Sequence, residues 1–367
     1  MLQLLFRKPH WPYGAHLVFA LHFVAFMYLL TIGAGAAHRL GVSTDVVATV
    51  GYALLVPYLV VALKRVYPES IASVLLEAGA LTVLVVSQRP REFHRNPAHT
   101  RCRVMDTQDR KSVLCFLALT FGVSSIFYGR SFAGAPLNTV VPFLMWTPGV
   151  CAIVTQLVFH RPIARLGWRA GPLRYLALSI LLPLIYCAAI YVPVWVLGAG
   201  RFDGSFLARA FPVLPLALVQ NVFFALGEEI GWRGFLVPAL YRVRGFAWAG
   251  VVSGIVWGTW HVPLIVFGGY SAGTPQWYAV TCFMISVTAM AVTVAWLRLR
   301  SGSLWTAALY HGAHNLTIQG IFDRSTTDTG WTKWITTEFG IGLTLVTVAI
   351  SLYFWRRHEE LASAERA

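Results

Sequence analysis

Residues 175–198 read YLALSILLPLIYCAAIYVPVWVLG, a run that contains no charged side chain. A transmembrane helix needs roughly 20 consecutive apolar residues, because that length crosses the hydrocarbon core of a bilayer. Similar runs recur at 15–37, 46–63, 112–128, 138–159, 211–229, 247–267, 277–297, 303–318 and 339–355. A soluble protein does not bury so many helices of this kind, so the sequence predicts an all-α, polytopic membrane helix bundle.

The composition supports the same class. Of the 367 residues, 57% are hydrophobic and 12% are charged, whereas a soluble domain carries about 25% charged residues. The formal net charge of +14 does not indicate a nucleic-acid partner, because the basic residues occupy short loops rather than one folded face. The lipid bilayer is therefore the predicted partner of this surface.

The basic loops also predict a topology. Segment 88–111 is strongly basic, which places it in the cytoplasm by the positive-inside rule. Counting spans onward from it, the predicted cytoplasmic loops near 160–174, 230–246 and 298–302 are also arginine-rich, whereas the loops between them carry few charges. We expect a multi-pass protein of the plasma membrane with about ten spans; eleven is the alternative if segment 71–87, which is short and contains Glu77, also crosses.

Three regions follow from this pattern. Residues 1–110 are predicted to form an accessory membrane region with a basic cytoplasmic loop, 111–357 the main membrane domain, and 358–367 a short cytoplasmic tail. The first apolar run is too long for a cleavable signal peptide and lacks a small-residue cleavage site.

Charged residues inside apolar helices are costly, so each is a candidate for function. Glu228, Glu229 and Arg233 interrupt an apolar stretch that otherwise runs from 211 to 240. Glu229 and Arg233 have the i, i+4 spacing of a helical ion pair, with the acid on the favourable N-terminal side. Glu228 points about 100° away around the helix and is left as a candidate general base. The alternative is that all three face water at the cytoplasmic end of a helix.

Two further apolar segments carry histidines. His261 follows Trp257 by one helical turn, and His311 precedes Asn315 by four residues on one face. Measured from the nearest basic loops at 1.5 Å per residue, Glu228, His261 and His311 lie at comparable depths, about 15–22 Å in. A single intramembrane histidine is often a packing residue, but convergence on three helices favours a shared site.

These segments resemble the motifs of the CPBP family of intramembrane proteases, which includes type II CAAX prenyl endopeptidases and bacteriocin-processing or immunity proteins. The motifs are Glu228 and Glu229 with Arg233 four residues on, Trp257 four residues before His261, and His311 four residues before Asn315. The family usually has Phe where this chain has Trp257. The resemblance covers roughly residues 112–320.

The resemblance implies an intramembrane endopeptidase in which Glu228 and His261 activate water while His311 and Asn315 stabilise the oxyanion. Its substrate would be a membrane-associated peptide, either a prenylated CAAX-type protein or an unmodified one. Zinc is the one cofactor that the residues leave open, with Glu228, His261 and His311 as its ligands. A transporter and a non-catalytic peptide-binding immunity protein are the remaining alternatives.

Overall fold

The computed structural model describes residues 107–364, and the regular structure there is almost entirely helical, which confirms the all-α prediction. The helices are α1 (Thr107–Phe132), α2 (Leu137–Val158), α3 (Leu173–Val196), α4 (Gly204–Ala210), α5 (Leu214–Glu229), α6 (Val237–Phe267), α7 (Gln276–Ser301), α8 (Leu304–Asn315), α9 (Thr332–Ile335), α10 (Ile341–Arg356) and α11 (Glu359–Ala364). Two π-helical segments follow α5 and α8 directly, at Ile230–Leu236 and Leu316–Phe322. Short 3-10 turns lie at Ile163–Leu166 and Phe211–Val213. The predicted spans 15–37 and 46–63, and segment 71–87, lie outside the described residues.

The described residues contain five helical stretches long and apolar enough to cross a membrane. One of them, Gly204–Phe267, is a 64-residue stretch that covers two predicted spans, 211–229 and 247–267. The last two predicted spans correspond to shorter helices, α8 with its π-helical extension and α10. The chain is therefore a membrane protein with several apolar helices, while the total of about ten spans stays a prediction.

The described residues fall into two compact units. Leu114–Val140 belongs to one unit, and 107–113 with 141–364 belongs to the other. All candidate site residues lie in this second unit. The proposed boundary between an accessory region and the main domain at 110/111 stays a prediction.

Glycines allow the helices of the second unit to approach closely. Helix α6 packs along α7 and helix α8 along α5. Gly250, Gly254 and Gly258 form a stripe on α6 that faces α7, and a Cβ on Gly254 would lie 2.7 Å from the Cα of Thr288. Gly312 is equally close to α5, as expected from the small residues around His311. This is the small-residue packing of membrane helices.

Gly254→Ala tests that packing. The added methyl group meets backbone atoms of α7 that have no side-chain freedom, so we expect the free energy of unfolding to fall by about 1–3 kcal/mol. The measurement is the thermal midpoint of the detergent-purified chain. Gly122→Ala on α1 is the matched control, because a Cβ there has nothing within 4 Å and alanine favours the helix. An equal loss of stability in both variants would contradict the packing argument.

A two-stranded antiparallel ribbon joins β1 (Gly200–Phe202) to β2 (Thr326–Asp328), with Gly200 opposite Asp328. It links the chain after α3 to the segment that follows α8. The sequence did not predict this ribbon, because strands of three residues are too short to show the alternation of apolar and polar residues that marks a strand.

Candidate active site

Glu228 and Glu229 are the last residues of α5, where the backbone passes into the π-helical segment that carries Arg233. Single π-helical turns within helices frequently mark functional sites. Arg233 donates from Nη1 to Glu229 Oε1 at 2.8 Å, and neither side chain has any exposed surface. The predicted ion pair is confirmed, and both partners are buried rather than facing water.

Trp257 holds Glu228. Its indole Nε1–H donates to Glu228 Oε2 at 2.7 Å, and both residues are almost fully buried. The Arg233 guanidinium carbon lies over the same indole ring, 4.0 Å from its centroid, which is a cation–π geometry. Glu228 thus has a fixed oxygen, Oε2, while Oε1 has no hydrogen bond to a described residue.

His261 lies one turn after Trp257 on α6. Its Nδ1 is 2.9 Å from the carbonyl oxygen of Trp257; because a carbonyl only accepts, Nδ1 carries the hydrogen and the Nε2 of a neutral ring is an acceptor. The ring stands edge-on to Trp260 and packs against Phe283 on α7. Packing on both sides fixes the orientation of a side chain that has the tautomer of a general base.

His311 reaches the site from α8. Its Nδ1 is 2.9 Å from Glu229 Oε1, the same oxygen that Arg233 contacts. Its ring stands edge-on to Trp257, with centroids 5.2 Å apart. Asn315 is the last residue of α8 and is half-buried. Within residues 107–364 its side chain has no hydrogen bond. The structure thus brings five of the six predicted site residues together, and Asn315 lies one helical turn beyond His311.

From the sequence, Trp257 had only the place that is usually a phenylalanine in the family, but this residue contacts four of the six predicted site residues. Its N–H binds Glu228, its carbonyl binds His261, and its ring contacts Arg233 and His311. The signal was present in the sequence. Tryptophan offers an N–H donor at a place where the family usually has phenylalanine, which has none.

A second set of buried polar contacts involves His314, for which the sequence predicted no role. His314 hydrogen-bonds Tyr186 through Nδ1, and its Nε2 lies 3.4 Å from Glu338 Oε1. Tyr270 hydrogen-bonds the other Glu338 oxygen. Burial favours the neutral acid, but the hydrogen bonds from His314 and Tyr270 to the carboxylate outweigh it, so the pKa of Glu338 lies below its ordinary value. These polar contacts hold the segment before α10 against α8.

The residues do not fit a metal as they are arranged. Within residues 107–364, no three His, Cys, Asp or Glu side chains are grouped so that they could hold a metal ion. Glu228, His261 and His311 share contacts with Trp257, and the partners of Glu228 Oε2 and of both Nδ1 atoms leave Glu228 Oε1 and the two Nε2 atoms as the remaining donors. Zinc coordination by Glu228, His261 and His311 is therefore not supported by how these side chains are grouped in the described part of the chain.

Comparisons with known proteins agree with the motif analysis. Residues 210–317 match the family described as type II CAAX prenyl endopeptidase Rce1-like. A relative named CAAX prenyl protease 2, from Methanococcus maripaludis, is 32% identical over 123 residues. The match covers 32% of this chain and 44% of that relative. The resemblance inferred from the three motifs is confirmed over residues 210–317, where this chain is similar to the Rce1-like type II CAAX prenyl endopeptidases.

Proposed function

We propose that this chain is an intramembrane endopeptidase that hydrolyses a peptide bond of a membrane-associated substrate. The observation that carries the proposal is the pairing of two buried carboxylates with different tasks. Glu229 is occupied by Arg233 and His311, whereas Glu228 has a single hydrogen bond from Trp257 within the described residues. Glu229 Oε2 also has no hydrogen-bond partner among the described residues, so the difference between the two carboxylates lies in charge. Arg233 balances the charge of Glu229, whereas the neutral indole of Trp257 orients Glu228 and leaves it able to bind water and take its proton.

Water is the nucleophile in this proposal. Glu228 Oε1 and His261 Nε2, which have no hydrogen bond to a described residue, bind the water, and one of them accepts its proton as the water oxygen attacks the carbonyl carbon. The buried surroundings strengthen these electrostatic contacts because they exclude bulk solvent. The attack converts the carbonyl oxygen into an oxyanion.

His311 and Asn315 stabilise that oxyanion. His311 donates its Nδ1–H to Glu229. To donate from Nε2 to the oxyanion as well, the ring must be protonated on both nitrogens, and Glu229 balances the charge of that imidazolium. Asn315, one turn further along α8, supplies its amide N–H. When the tetrahedral intermediate collapses, the C–N bond breaks and the proton taken from water moves to the leaving amine. The products are a new carboxylate and a new amine.

A lipidated substrate is the finer part of the proposal. The relative that this chain resembles is named as a prenyl protease, and a site inside apolar helices suits a peptide anchored in the bilayer. Two peptides of identical sequence, one farnesylated on cysteine and one unmodified, test this with the purified full-length chain in nanodiscs. We expect faster cleavage of the farnesylated peptide. Equal rates would contradict the preference for lipid while leaving the endopeptidase assignment intact.

Trp257→Phe tests how Glu228 is held. Phenylalanine keeps the ring next to Arg233 and His311 but removes the N–H that donates to Glu228. Since a hydrogen bond to a charged group is worth about 1.5–3 kcal/mol, we expect kcat to fall by about tenfold or more, with KM unchanged. The measurement is the steady-state rate of peptide cleavage.

Trp248→Phe is the matched control for that variant. Trp248 lies on the same helix, an arginine (Arg244) lies over its ring at 4.8 Å, and its indole N–H has no partner within the described residues. We expect its activity to equal that of the wild type. A similar loss in both variants, or a change in KM alone, would show that Trp257 contributes bulk rather than a hydrogen bond.

A further inference from the structure

A cavity of about 760 Å³ lies outside the candidate active site, where α2 ends and the π-helical segment Ile230–Leu236 passes into α6. Gly234 and Phe235, which directly follow Arg233, form part of its wall. Arg161, Arg165 and Arg242 also line it. Three arginines from two segments of the chain thus line one cavity.

The charge of the cavity wall is not balanced. Asp109 is the one carboxylate among its described lining residues. It contacts Arg161 at 2.5 Å and Arg242 at 3.9 Å. Arg165 has no ion pair within the described residues, so the lining has three guanidinium groups against one carboxylate. Arginine's planar fork matches the oxygens of a phosphate group, and the excess charge therefore favours a phosphate-bearing anion.

Gln156 provides an independent observation. Its side chain lines the cavity, is 5% exposed, and its Oε1 has no hydrogen-bond partner within the described part of the chain. A buried polar atom without a partner is costly. Because Oε1 only accepts and has almost no accessible surface, a ligand that satisfies it must supply a donor such as a hydroxyl group, toward which the Gln156 side chain turns. The ligand that the lining fits thus combines a phosphate with a free hydroxyl.

The position of the cavity fits such a ligand. Its arginines belong to the segments 160–174 and 230–246, which the sequence predicts to lie on the cytoplasmic side of the membrane. These segments adjoin the end of the membrane-length helix α2, the level at which lipid headgroups lie. Arginine clusters at this level attract anionic lipids.

We propose that this cavity binds a phosphoglycerol group, with its phosphate on Arg165 and Arg242 and a glycerol hydroxyl on Gln156. The chemistry is shared by the headgroup of phosphatidylglycerol and by soluble glycerol phosphate. The proposal does not depend on the peptidase activity.

Native mass spectrometry of the detergent-purified full-length chain tests the proposal, with phosphatidylglycerol, phosphatidylcholine and glycerol 3-phosphate as separate probes. We expect the wild type to retain phosphatidylglycerol in preference to phosphatidylcholine. The double variant Arg165→Gln/Arg242→Gln, which leaves the Arg161–Asp109 pair intact, should lose at least about tenfold in affinity, since each arginine makes charge-assisted bonds. Gln156→Leu should weaken binding through a single side chain and without any change of charge.

The control is Arg201→Gln/Arg209→Gln, which removes the same charge from exposed positions outside the cavity. If the protein retains phosphatidylglycerol and glycerol 3-phosphate does not displace it, the ligand is a lipid headgroup. If glycerol 3-phosphate displaces the lipid, the site also accepts a soluble ester. Either result supports a phosphoglycerol site. The proposal is overturned if the wild type binds neither phosphatidylglycerol nor glycerol 3-phosphate more tightly than phosphatidylcholine. It is also overturned if the cavity variants have unchanged thermal midpoints and bind phosphatidylglycerol as tightly as the wild type does. An equal loss of affinity in the control variant would overturn it as well.

Discussion

Glu228→Gln is expected to reduce peptide cleavage by about a thousandfold, the range that removal of a general base produces. Glutamine keeps the size of the side chain and can still accept the Trp257 hydrogen bond through its carbonyl oxygen. It cannot take a proton from water. The fold should therefore persist while kcat collapses, which a progress curve followed by mass spectrometry of the products measures.

Glu359→Gln on α11 is the control for that variant, because its side chain is exposed in a short helix beyond the site. It should cleave at the wild-type rate. Residual activity of Glu228→Gln above about a tenth of the wild-type rate would be inconsistent with a general base, whose removal costs at least about a hundredfold.

Arg233→Met is expected to have the largest effect on stability. It removes the cation from a pair with no exposed surface and leaves Glu229 charged and buried with only His311 beside it. Breaking a buried pair in this way costs about 3–5 kcal/mol. We expect a large fall in the thermal midpoint in detergent and, because Glu229 no longer has its arginine partner, loss of activity as well.

Arg357→Met provides the comparison. Arg357 pairs with Glu360 at 2.5 Å, but both side chains are more than a third exposed, and such pairs contribute only about 0–1 kcal/mol. Arg233→Lys tests the charge of this side chain apart from its shape, since lysine keeps the positive charge but not the planar group that lies over Trp257. If Arg233→Met unfolded no more easily than Arg357→Met, the buried pair would not support the site.

Hydropathy predicted the separate helices well. The runs 138–159, 175–198 and 277–297 correspond to α2, α3 and α7 with shifts of a few residues at their ends. The predicted loop at 230–246 was wrong: a π-helical segment and the start of α6 occupy it, and non-helical backbone is confined to Arg244 and Gly245. The ribbon of β1 and β2 was also missed, since tertiary position rather than local pattern forms it.

The candidate site was predictable where the interaction is local. The i, i+4 spacing of Glu229 and Arg233 identified their ion pair, because one helix fixes the distance. The contacts of Trp257 with Glu228 and of His311 with Glu229 join different helices and depend on rotamers. Motif spacing does not contain that information. For the same reason the sequence could not decide between direct water activation and a zinc site.

The central claim is that Glu228 and His261 activate a water molecule without a metal. The most direct measurement incubates the wild-type chain in nanodiscs with a farnesylated peptide in H₂¹⁸O, with and without a chelator, and determines the product masses. The account predicts two product peptides, ¹⁸O in the new carboxylate, and the same rate in both conditions. An intact peptide, or a rate that falls with chelator and returns with added zinc, would contradict it.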